Sequence, residues 1–169
     1  VFIRGHEKGF TLIELLVVIS IISLLSSIVL ASLNSARQKG RNAQRLSDMA
    51  QIKNALELYY NDYGNYPVVT NGVDTSWRSE CASWGALANN AVIPGFVPTY
   101  IKVLPKDPIM VPANSDSCYI YRSDGAGFAF LMHDNSPPWS DGAIPVKYAD
   151  PTRPTHAWKL CYGTTQCAW

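Results

Sequence analysis

The chain has 169 residues, and its 14 Lys and Arg nearly balance 13 Asp and Glu, giving a formal net charge of +1. That balance gives no general bias toward nucleic acid or other polyanions. No G-x-S-x-G, H-E-x-x-H or P-loop pattern occurs, and His6, His133 and His156 have no visible catalytic partner, so nothing argues for an enzyme.

Residues 1–9 carry Arg4, His6, Glu7 and Lys8 and end in glycine. Next comes Gly9-Phe10-Thr11-Leu12-Ile13-Glu14, and then residues 15–36 without a single charge. As a helix those roughly 22 residues reach about 33 Å, enough to cross the hydrocarbon core of a bilayer. A secretory signal places its cleavage site after the apolar run, whereas here the glycine precedes it. A carboxylate near the end of such a run is costly in lipid and needs a partner or a role, which makes Glu14 the first residue to explain.

This segment resembles the processing site of type IV prepilins and type II secretion pseudopilins. The resemblance implies that residues 1–9 are a leader peptide, cut between Gly9 and Phe10 by a prepilin peptidase that also methylates the new Phe10 amine. It further implies that Glu14 pairs with the amino end of a neighbouring subunit during assembly. The physical chemistry is compatible. Cleavage would put an ammonium on Phe10 about one helical turn from Glu14, and the positive end of the helix dipole lies at the same place. Many members of the family carry a glycine and a proline within the apolar run. Here Ala31 and the serines Ser20, Ser23, Ser26 and Ser27 stand in that stretch.

One helix is expected from about Thr11 to Asp62, with residues 10–36 as its transmembrane half and residues 37–63 as its amphipathic half. Leu46, Met49, Ile52, Leu56, Tyr59 and Tyr63 recur at steps of three and four, the spacing of a packing face. Gly64 and Pro67 mark its stop. Arg37, Lys39, Arg41 and Arg45 are expected beside lipid headgroups or on a solvated face. Counted alone, these cations would put the following residues inside the cell. The processing site and the cysteines argue instead for a head outside the inner membrane.

Residues 64–169 read as a small head of short strands and turns. Residues 118–122 and 128–132 alternate around Asp124-Gly125, a hairpin signal. Further strands are expected at residues 157–162 and, more weakly, 144–148, with a short helix beginning at 84–87. The stretch Tyr100-x4-Pro105-x-Asp107-Pro108 resembles the segment between helix and sheet in pseudopilins and related pilins. The fold class is therefore α+β, a long N-terminal helix packed on a small antiparallel sheet, the pilin fold.

Four cysteines in a translocated head read as two disulfides with three possible pairings. The short C-terminal loop favours Cys161–Cys167, which leaves Cys81–Cys118. Asp134, Asn135 and Asp141 offer oxygens of the kind calcium takes, but without ordered ligand spacing. No other cofactor is expected.

The resulting reading is a structural filament subunit. The resemblance implies a single-pass precursor in the inner membrane and then an extracellular or periplasmic homopolymer with other pilin subunits. An assembly platform protein and a cytoplasmic assembly ATPase are its implied partners, and no specific nucleic acid is expected. Two disulfides and an aromatic head incline the reading toward a type IV pilus subunit. The alternatives are a type II secretion pseudopilin and, from another class, a monomeric membrane-anchored binding module.

Overall fold

The computed structural model describes residues 9–69, 77–111, 113, 117–133 and 143–168, and the calcium candidates Asp134, Asn135 and Asp141 lie outside them. Helix α1 runs over Leu12–Tyr63, 52 residues. It stops where Gly64 takes φ +69° and its N–H bonds the Tyr60 carbonyl at 2.8 Å, a left-handed cap that glycine adopts without Cβ strain. Compactness divides the chain into Val1–Gln38 and Lys39–Trp169, so the second half of α1 belongs with the strands.

In the first unit the apolar side chains from Leu12 to Leu30 are exposed, and α1 is long and apolar enough to cross a membrane. Three serines there donate to carbonyls of the preceding turn: Ser20 to Leu16 at 2.8 Å, Ser23 to Ile19 at 2.7 Å and Ser27 to Leu24 at 2.8 Å. Each hydroxyl is thereby satisfied without water.

The second unit is built on a four-stranded antiparallel sheet in the order β1-β2-β4-β3. Its strands are β1 (Cys118–Ser123), β2 (Phe128–His133), β3 (Ala149–Asp150) and β4 (Arg153–Tyr162). The two-residue side-chain period separates its faces. Tyr119, Tyr121, Phe128, Phe130, Met132 and Trp158 join Met49, Ile52, Ala55 and Leu56 of α1 in the main core. Ile120, Ala129 and Leu131 form a second cluster with Cys81 and Cys118, flanked by Trp77, Trp84 and Met110. The free edge of β1 is covered at Arg78, which exchanges two backbone hydrogen bonds of 2.9 Å with Tyr121.

Four local expectations are corrected. Residues 144–148 do not form a strand. Pro145, which has no N–H for a ladder, opens a 3-10 turn at Val146–Tyr148, and β3 starts only at Ala149. No helix begins at 84–87: a 3-10 turn at Ala82–Trp84 is ended there by positive φ at Gly85 and Ala86, and the short helix α2 (Asn89–Val92) starts just after. The strand expected at 157–162 is present, but β4 begins earlier, at Arg153, because that residue pairs with Asp150 of β3 before β2 first pairs at Ala157. On α1, Leu46 and Tyr63 are exposed, while Arg45 and Asp48 take part in the buried face.

Candidate assembly site

At the start of α1, Glu14 sits three residues after Thr11, and the two side chains cap each other. The Thr11 N–H donates to Glu14 Oε2 at 2.8 Å, the Thr11 hydroxyl donates to the same oxygen at 2.7 Å, and the Glu14 N–H donates to Thr11 Oγ1 at 3.2 Å. This is a reciprocal capping box, which satisfies helix-end donors that otherwise have no partner. Within a single chain the carboxylate is thus held at the helix N-terminus, one turn from Phe10, which is 86% exposed. The sequence reading placed Glu14 but missed Thr11; the T-x-x-E spacing was the available signal.

The basic residues after the apolar run do not behave alike. Arg45 is not solvated and does not face lipid: it is 0% exposed and grips Asp107 through Nε at 2.5 Å and Nη2 at 3.0 Å. Its Nη1 donates to Asn42 at 2.8 Å. Asp107 Oδ1 also accepts the Ile109 N–H at 3.0 Å, so the carboxylate both shapes its own turn and ties that turn to α1. One helical turn along, Asp48 accepts the Tyr119 hydroxyl at 2.8 Å. Burial raises the Asp48 carboxyl above the ordinary aspartate value, and nearby Asp107 adds to the rise; Tyr119 and Arg45 oppose it. The Tyr119 phenol is pushed far up, first by burial and then by the negative charge of Asp48.

The structure joins Cys81 to Cys118, with Cα atoms 6.3 Å apart, and Cys161 to Cys167, with Cα atoms 5.4 Å apart. The first bond ties the segment before α2 to the start of β1. The second closes the end of β4 onto α3 (Thr164–Cys167). Next to that closure, Lys159 Nζ donates to the Cys167 carbonyl at 3.2 Å and lies 3.5 Å from Asp150 Oδ1. Burial alone would raise Asp150, but the hydrogen bonds from Thr152 and Arg153 and the charge of Lys159 outweigh it and hold the carboxyl below its ordinary value. Among the described residues no group of three His, Cys, Asp or Glu side chains is arranged to hold a metal ion.

The family of the prokaryotic N-terminal methylation motif matches residues 4–30. The chain is 36% identical over 138 residues to a type II secretion system core protein G of Escherichia coli, covering 79% of this chain and 91% of that protein. The type II secretion system core protein G of Aeromonas hydrophila is 34% identical over 105 residues, covering 62% of this chain and 69% of that protein. The chain belongs to the core protein G family of type II secretion pseudopilins. A third core protein G, from Klebsiella pneumoniae, is 32% identical over 61% of this chain and 69% of its own length. No solved structure matches. These relatives favour the pseudopilin alternative over the pilus subunit toward which the cysteines and aromatic residues incline. A long apolar helix on a small antiparallel sheet is the architecture expected of a pseudopilin, and here Glu14 stands at its exposed N-terminal end.

Proposed function

We propose that this chain is a structural subunit of a type II secretion pseudopilus. Its precursor is anchored in the inner membrane by the first half of α1 with the head on the outer side. Prepilin peptidase removes residues 1–9 and methylates Phe10. The mature subunits then polymerise through their N-terminal helices into a periplasmic filament, driven by a cytoplasmic assembly ATPase and a membrane platform protein. The observation that carries this reading is the match along 91% of a protein named as a type II secretion core protein.

The geometry of Glu14 supports a role in assembly. Its carboxylate is already oriented by Thr11 in the single chain, so a neighbour's amino group meets a fixed acceptor rather than a mobile one. In surroundings of low dielectric an ammonium placed there is attracted strongly, provided the two charges pair closely.

Two measurements test the proposal. Intact-mass analysis of protein from cells with active prepilin peptidase should show a chain beginning at Phe10 and carrying one added methyl group. Expression in a secretion strain lacking its own core protein G should restore secretion, and Glu14→Ala should remove that restoration while leaving the head folded. A leader that persists would point to a simple membrane tether. Surface fibres formed without any effect on secretion would return the reading to a pilus.

A further inference from the structure

The two disulfides have different surroundings. Cys81 and Cys118 are both 0% exposed, whereas Cys161 and Cys167 are half-buried. The latter pair stand at the two ends of a segment whose last carbonyl accepts the Lys159 ammonium. The Lys159 side chain is 1% exposed, and its ion-pair partner Asp150 is 0% exposed. Lys159 and Cys161 share one face of β4, so the cystine, the ammonium and the carbonyl that accepts from it are neighbours.

We propose that Cys161–Cys167 is a redox latch over Lys159, open to thiol–disulfide exchange with a dithiol partner while Cys81–Cys118 stays closed. The segment it closes rests on β2 and β4, and the bond fixes its far end to the strand. Helix α3 has four residues, too few to be stable alone, and it begins after Gly163 at φ +88°. Burying an ammonium is costly unless acceptors surround it, and one of its acceptors here belongs to the latched segment. Once the bond opens, the Cys167 carbonyl moves off, water reaches Lys159, and hydration of the ammonium opposes reclosure.

The exchange balances. A partner thiolate attacks the Sγ of one cysteine, forms a mixed disulfide and expels the other cysteine as a thiolate. The partner's second thiolate then attacks its own sulfur in the mixed disulfide, leaving Cys161 and Cys167 reduced and the partner oxidised by two electrons. The reverse sequence closes the latch. Cys161 stays in the ladder opposite Ala129 throughout, so the strand survives while the segment after it moves.

The test uses the full-length protein in detergent, titrated with dithiothreitol, with thiol alkylation and a brief pulse of amine acetylation mapped by peptide mass. Cys161 and Cys167 should become alkylated at reductant levels that leave Cys81 and Cys118 bonded. Lys159 acetylation should rise about tenfold in step, while that of exposed Lys53 stays constant. A Cys161→Ser/Cys167→Ser variant should show the high Lys159 reactivity without reductant. Simultaneous reduction of both bonds, or an unchanged Lys159 once Cys161 and Cys167 are reduced, overturns the proposal.

Discussion

Arg45 and Asp107 stand 62 positions apart in the chain and meet through two hydrogen bonds, of 2.5 and 3.0 Å, with neither side chain exposed. The contact ties the turn at residues 107–109 to α1, ahead of β1. It also gives the Pro105-x-Asp107-Pro108 stretch a physical purpose, since two prolines stiffen the turn that presents the carboxylate.

Breaking one side of such a pair leaves a buried charge without its counterpart. Asp107→Ala should therefore destabilise the head by about 3–5 kcal/mol. The paired replacement Arg45→Met/Asp107→Leu removes both charges and should cost less than Asp107→Ala alone. Urea unfolding of the three proteins checks this, and a double variant weaker than the single one would remove the ion pair as the reason for the loss.

Asp48 and Asp150 should give the head opposite responses to acid. Asp48 has a raised folded pKa, so the folded state holds its proton more tightly and this group's contribution improves as pH falls through that value toward the ordinary 3.8. Asp150 has a lowered folded pKa; its contribution is complete above 3.8 and is lost as pH falls through the folded value. Asp48→Asn should accordingly flatten the stability profile above pH 4, and Asp150→Asn should flatten it below. Tyr119→Phe removes a hydrogen bond that lowers the Asp48 pKa and should extend the upper slope to higher pH. Unfolding free energies measured from pH 3 to 7 give all three.

Two glycines separate conformational strain from steric conflict. Gly64 has φ +69° and nothing within 4 Å of an added Cβ, so Gly64→Ala should cost only the left-handed penalty of about 1–2 kcal/mol. Gly125 has φ +91°, and a Cβ there would lie 3.0 Å from Val68 Cγ2, so Gly125→Ala should cost more than Gly64→Ala. Reversal of that order in thermal melts would show that the 124–127 turn yields easily.

The sheet was largely legible in the sequence because period-two alternation is a local signal. Tyr119, Tyr121, Phe128 and Phe130 face the core as their spacing implies, and the turn at Asp124-Gly125 joins them. The buried face of α1 was legible at Met49, Ile52 and Leu56 but not at Arg45. Apolar spacing cannot flag an arginine whose partner arrives 62 residues later, and it put exposed Leu46 in the stripe instead. Glu14 stood out because a charge interrupts an apolar run. Thr11 did not, because a hydroxyl beside such a run breaks no pattern until its bonds to Glu14 are seen. The start of β4 was hidden by Pro154, a residue that usually argues against a strand.

The two disulfides should contribute unequally, for two separate reasons. On chain entropy alone, Cys81–Cys118 spans 37 positions and should be worth about 4 kcal/mol, against about 2 kcal/mol for the span of 6 at Cys161–Cys167. The shorter bond also holds the Cys167 carbonyl against Lys159, so Cys161→Ala/Cys167→Ala should cost more than its loop entropy, by about 1–3 kcal/mol for the acceptor lost to a buried ammonium. Introducing Lys159→Met first removes that ammonium, and in this background the same double substitution should fall back toward the entropic figure. A four-way comparison by urea unfolding isolates the coupling between the bond and the lysine. A coupling of zero would mean that the ammonium keeps its surroundings when the bond is gone, and that the closure restrains the chain without shielding the charge.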